Sequence, residues 1–129
     1  METLLPPGWQ RPKGYANGIK ASGQMIFVAG QIGWDENEVF QAKDIAGQFE
    51  QILKNTLAIL KEGGAGPEHI VRMTWYVTDR QDYKDNIAEI GCIYRERIGK
   101  HFPAMAVVEV SGLVEDEALI EIETTAVVS

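Results

Sequence analysis

The sequence predicts an α+β fold, a two-layer sandwich with two helices on one face of a mixed sheet, and three observations predict it. Apolar residues recur at helical spacing in two stretches, 45–62 and 83–98. Period-two alternation marks strands at 70–78, 105–111 and 118–128, and a further apolar run lies at 25–32. The order is then β-β-(β)-α-β-α-β-β, and two helices cannot cover both surfaces of such a sheet, so they form one layer on one face. At 129 residues the chain suits a single domain with a substantial core.

Residues 1–13 include Pro6, Pro7 and Pro12 and read as an extended arm. Gly14 to Ala21 and Met25 to Ile32 flank Ser22-Gly23, a turn signal, so a β-hairpin is expected. The almost unbroken apolar character of 25–32 suits a strand covered on both faces. Asp35 to Glu38 reads as a turn and Val39-Phe40-Gln41 as a short further strand. Asp44 is placed to cap a helix running to about Glu62, with Phe49, Ile52, Leu53, Thr56, Leu57 and Leu60 as its stripe. Gly63-Gly64 and then Pro67 end it. The strand from Ile70 sets Val71, Met73, Trp75 and Val77 toward the core. Asp79 or Asp82 then caps a second helix whose stripe is Tyr83, Ile87, Ile90, Tyr94 and Ile98, stopped by Gly99.

The last quarter reads as two strands joined by a turn. Ile120, Ile122, Thr124, Ala126 and Val128 form one face of the second strand. The opposite face is expected to mix Glu109, Glu121 and Glu123 with Met105, Val107 and Leu119. Leaving that apolar area in water is unfavourable by about 25 cal/mol per Å². A homo-oligomer whose subunits cover one another's sheets, with sites between them, is the expected resolution.

A net charge of −7, without a basic run interleaved with aromatics, argues against a nucleic-acid partner. No apolar stretch reaches membrane-spanning length and no signal-peptide pattern is present, so a cytoplasmic protein without a membrane partner is expected. One cysteine, Cys92, excludes an internal disulfide; it falls between core positions of the second helix and reads as a small buried apolar residue. His69 and His101 have no ligand spacing, so no metal site and no cofactor are expected. Gly63-Gly64-Ala65-Gly66 follows a helix instead of preceding one, the wrong order for a phosphate cradle.

Four segments carry more than pattern: Gly14-Tyr15-Ala16-Asn17-Gly18, Val28-Ala29-Gly30-Gln31-Ile32, His101-Phe102-Pro103-Ala104, and Val108-Glu109-Val110 followed by Ala118-Leu119-Ile120-Glu121-Ile122-Glu123. In order and spacing they resemble the RidA (YjgF) family over nearly the whole chain. The resemblance implies a chorismate-mutase-like fold, a homotrimer whose sheets form a central barrel, and small-molecule clefts between adjacent subunits. It also implies hydrolysis of reactive enamines and imines, such as 2-aminoacrylate, to a keto acid and ammonia. Older labels for the family are translation inhibitor and endoribonuclease.

Carried over residue by residue, the resemblance places the cleft at Tyr15, Ala29, Gly30, Phe102, Met105, Val107 and Glu121, with Glu121 as the catalytic residue. The family's usual Ser-Gly-Gln-Ile-Pro segment falls on Ala29 to Gly33, so the serine and the proline are both replaced. Active members carry an arginine after the Pro-Ala pair, gripping the substrate carboxylate; this chain has Met105, and Val107 replaces the common cysteine. A guanidinium binds carboxylate through a planar fork of donors, and a thioether has none. Losing such an anchor costs on the order of 2–5 kcal/mol of binding. Arg11, Lys13, Arg97 and Lys100 are the candidate replacements.

Glu121 can position water or accept a proton from an imine nitrogen, whereas a strand glutamate is otherwise solvated or paired. Tyr15 reads equally as packing on composition alone. Trp34 and Phe102 read as pocket walls or as anchoring aromatics. Glu109 and Glu123 read as structural. Three functions stand open: a divergent enamine/imine deaminase, a metabolite-binding or sensing protein that keeps the cleft without the chemistry, and, least supported by the acidic charge, an endoribonuclease.

Overall fold

The computed structural model describes all residues, 1–129. A four-stranded mixed sheet is built from β3 (Gln24–Ile32), β4 (Ile70–Val77), β5 (Ala104–Glu109) and β6 (Ile120–Val128), in the order β3-β6-β4-β5. Helix α1 (Ile45–Glu62) packs on one face of it beside α3 (Ile87–Arg97), and the short α2 (Arg80–Asp85) precedes α3. The fold is the expected α+β sandwich.

The α1 boundaries follow from capping. The Asp44 carboxylate accepts the Gly47 N–H, and Gly64, in the left-handed region at φ 76°, turns the chain away. Phe49, Ile52, Leu53, Thr56 and Leu60 are fully buried against the sheet. Gln48 is buried among them and fully engaged: its amide donates to the Ala42 and Glu117 carbonyls, and its oxygen accepts the Leu119 N–H. That one side chain ties the connection before β6 to the helix.

The second helix is interrupted. Asp79 caps α2 by accepting from the Gln81 and Asp82 N–H groups, but the Asn86 amide reaches back to the Asp82 carbonyl at 2.8 Å and its carboxylate at 3.1 Å. Such local side-chain bonds compete with the helical ladder, and the chain restarts as α3. Ile87 is left exposed while Ile90, Tyr94 and Ile98 enter the core.

Three expectations about strands need correction. The segment before β3 does not form a hairpin with it: β2 (Gly18–Lys20) pairs with β1 (Glu2–Leu4), and β3 pairs with β6. Gly23, at φ 140°, runs so close to the end of β6 that a Cβ there would stand 2.7 Å from the Val128 carbonyl carbon, so Ser22-Gly23 docks the chain instead of reversing it. Residues 39–41 form no strand; the Asp35 carboxylate organises this loop by accepting from the Asn37 and Val39 N–H groups and the Gln41 amide.

The third correction decides where the site residues point. β5 and β6 are not neighbours, because β4 lies between them, parallel to β5 and antiparallel to β6. Met105 stands beside Met73 and Val107 beside Trp75, so both face the helices and pack on the core. Leu119 packs on the core as well. Glu109 shares the helical side, where its carboxylate accepts the Arg80 N–H at the start of α2. Only Glu121 and Glu123, opposite Tyr76 and Thr74, occupy the open face. The exposed apolar residues of that face are Met25, Phe27 and Val108, not Met105, Val107 and Leu119.

Candidate functional site

The residues singled out in the sequence fall into two groups. The first lies on β3 and β6. Pairing between these strands shifts register between Val28 and Gln31, and the bulge swings Ala29 and Gly30 out of the ladder, where both are exposed. Glu121 fills the space beside Gly30: a Cβ on Gly30 would stand 2.8 Å from the Glu121 carboxyl carbon. Ala29 also borders a cavity of about 440 Å³ on the open face, with Phe27, Arg72, Thr74, Glu123 and Thr125. Beside it the Tyr76 hydroxyl donates to Glu123 at 2.9 Å. That bond, then desolvation and the negative charge of Glu123 and Glu121, push the Tyr76 phenol upward from its ordinary value.

The second group gathers at the start of β5. Ala16 donates its N–H to the Pro103 carbonyl and bridges in parallel to Ala104, which lays 13–17 along the beginning of the strand. Tyr15 and Phe102 thereby share a cavity of about 420 Å³ with Arg11, Asn17 and Lys100. Phe102 stacks on Tyr94 at 5.7 Å between centroids and also borders a cavity of about 350 Å³ floored by Met105. Val107 packs beside Trp75 and lines neither of these two cavities.

The cations sort by cavity. Lys13 lines the Met105 cavity; Arg11 and Lys100 line the Tyr15 cavity; Arg97 is tied to Glu50 at 3.0 Å. Arg95, absent from the candidates drawn from sequence, also lines the Met105 cavity. Its place four residues past Gly91 on the same helix was the available signal.

The remaining candidates are structural. The Tyr94 hydroxyl donates to the His101 carbonyl, and the His101 ring bonds the Ile70 carbonyl. Burial pushes the Tyr94 phenol strongly upward. His69 accepts the Gly66 N–H. Trp34 leans on Phe40 at 5.9 Å. Cys92, expected to be buried, is exposed on α3, because it lies two residues from both Ile90 and Tyr94 and two residues turn a helix about 200°, onto the opposite face; Arg95 donates to its sulfur at 3.5 Å. No group of three or more His, Cys, Asp or Glu side chains could hold a metal ion. No helix is long and apolar enough to cross a membrane.

Comparison with known proteins adds to this geometry. The family model described as Endoribonuclease L-PSP matches residues 9–128. The chain belongs to the RidA/YjgF family. A RutC family protein of Pyrococcus abyssi is 40% identical over 113 residues, covering 87% of this chain and 84% of the relative. A Salmonella typhimurium relative named 2-iminobutanoate/2-iminopropanoate deaminase is 34% identical over 116 residues, covering 88% of this chain and 86% of that protein. Among solved structures, the Rid-family protein YyfB of Yersinia pestis, whose function is unknown, superposes with a TM-score of 0.86 at 29% identity over 98% of each chain. The two residue groups described above are therefore those of a RidA-family chain.

Proposed function

We propose that the protein is a RidA-like homotrimer with small-molecule clefts between subunits, and that it hydrolyses a reactive imine without a carboxylate anchor at position 105. The observation that carries this reading is the separation of the two groups. Gly30 and Met105 sit on opposite edge strands, three inter-strand spacings or about 14 Å apart, and Glu121 and Met105 face opposite sides of the sheet. Within one chain Glu121 and the Met105 cavity do not meet. A neighbouring copy that sets its β3 edge beside the β5 edge unites Gly30 and Glu121 of one subunit with the Tyr15, Phe102 and Met105 region of the next. The same contact covers Phe27 and Val108.

In such a cleft Glu121 orients water toward the imine carbon. The water oxygen bonds to that carbon, the water protons pass to the nitrogen, and the C–N bond then breaks, leaving a carbonyl compound and ammonia. Gly30 gives the carboxylate room beside the backbone. The activity in the name of the Salmonella relative favours this chemistry. Met105 favours a second reading, a cleft that binds metabolites without turning them over.

The test generates 2-aminoacrylate and larger imines in situ and follows ammonia release with the wild type and Glu121→Gln. Loss of activity in the variant, at unchanged melting temperature, is the expected outcome. Imines that decay no faster than in buffer exclude the deaminase. Light scattering that finds a monomer excludes the shared cleft.

A further inference from the structure

The Met105 cavity contains two features beyond those on which the deaminase reading rests. Its walls are aromatic: Phe102 stacks on Tyr94, and Tyr83 meets Trp75 edge-on with ring centroids 6.3 Å apart. Its space is kept open by Gly91, in the middle of α3, where a Cβ would meet nothing closer than an Arg95 guanidinium nitrogen at 3.6 Å. Glycine inside a helix weakens it relative to alanine, and no backbone conformation here requires one, since Gly91 is absent from the positive-φ glycines. What the missing side chain provides is room.

The second feature is charge. Lys13 and Arg95 line the same cavity, and neither forms an ion pair, whereas Lys43 and Arg97 are paired with Glu117 and Glu50. A cavity of about 350 Å³ with aromatic walls, a pliable thioether floor and two cations without carboxylate partners, Arg95 bonding only the weak acceptor Cys92 Sγ, matches an organic anion with a bulky apolar body.

We infer that this cavity selects 2-imino or 2-oxo acids with an aromatic or branched side chain: the apolar body fills the space over Gly91, and Arg95, assisted by Lys13, holds the carboxylate that residue 105 cannot. The inference deepens the deaminase reading and rests on it only where the ligand is an imine.

Calorimetric titration of the full chain with phenylpyruvate and with pyruvate tests it. Phenylpyruvate is expected to bind at least about tenfold more tightly than pyruvate, with Arg95→Gln weakening it by a further factor of about ten. Gly91→Leu, which fills the space and improves helix propensity, is expected to abolish phenylpyruvate binding while melting at or above the wild-type temperature. Equal affinity for the two acids, or unchanged phenylpyruvate affinity in both Arg95→Gln and Lys13→Gln, overturns the inference. Turnover of the imine generated from phenylalanine is a separate readout. If phenylpyruvate binds as expected but that imine is not hydrolysed, the deaminase reading falls and the cavity assignment stands.

Discussion

Glu121 and Gly30 occupy one space: the carboxyl group lies where a side chain on residue 30 would begin, 2.8 Å from an ideal Cβ. The obstructing group is the end of a flexible side chain, so Gly30→Ala should displace the carboxylate without disturbing the sheet. Stability is expected to change by less than about 1 kcal/mol. Imine hydrolysis should fall by a factor of ten or more, because a base misplaced by about 1 Å loses much of its effect. Steady-state kinetics beside a thermal melt checks both, and retained activity removes Glu121 from the reaction.

Phe27 is 69% exposed in a single chain, on the face that no helix covers. On a true surface, Phe27→Asp should leave stability within about 0.5 kcal/mol and assembly unchanged. In the proposed trimer it buries a carboxylate between subunits, and the expected result is dissociation to monomers. Sedimentation velocity separates the outcomes; an unchanged mass for the variant contradicts the proposed contact.

Gln48 offers a prediction independent of function. Replacing it with leucine orphans the Leu119 N–H and removes a donor from the Glu117 and Ala42 carbonyls. The expected cost is about 2–4 kcal/mol, and the melting temperature should fall by roughly 10 °C. A melt within 2 °C of wild type would show that water replaces those bonds, with 2 °C being about half a kcal/mol.

The same residue shows why part of this fold was legible and part was not. Helix α1 was readable because its signals are local: an Asp cap, one stripe, a Gly-Gly stop. That Gly33 stands where the family usually has proline was visible too, but its reason was not. A Cβ there would lie 2.8 Å from Gln48 Cα, an approach that only the packed helix creates. Strand neighbours are not legible in the sequence, because β4 enters between β5 and β6 through long-range pairing that no short window encodes, and that pairing turns Met105, Val107 and Glu109 toward the helices. The site residues could be named from motifs. Their division between two faces, and the presence of Arg95 near Met105, required the register.

Stability should fall at high pH. Desolvation raises the Tyr83 and Tyr94 phenols, and Glu123 raises that of Tyr76. Folded-state values above the ordinary phenol value of about 10 mean that the unfolded chain releases these protons first. The contribution is thus fully present below pH 10 and is lost as pH rises through the folded-state values. Phenolate absorbance should lag behind that of the denatured chain and then rise together with loss of helical circular dichroism. Phenolate signal from all three in a still-folded protein would contradict the burial of Tyr94.

Met105→Arg tests the departure that most separates this chain from the active members its sequence resembles. Met105 is partly buried, faces the helices, and floors the cavity that Lys13 and Arg95 line. An arginine there joins two like charges, so in the absence of ligand the variant should be destabilised modestly, and less at high salt. A bound carboxylate reverses that balance, since a planar donor fork gains two charge-assisted bonds. Hydrolysis of the small substrate 2-aminoacrylate, which cannot fill the space over Gly91, is therefore expected to rise at least about tenfold, the effect of 1.4 kcal/mol of added anchoring. Bulky substrates already held through Arg95 should gain less. Equal rates of 2-aminoacrylate hydrolysis by wild type and variant would mean that residue 105 does not meet the substrate, and the cleft would have to be drawn elsewhere.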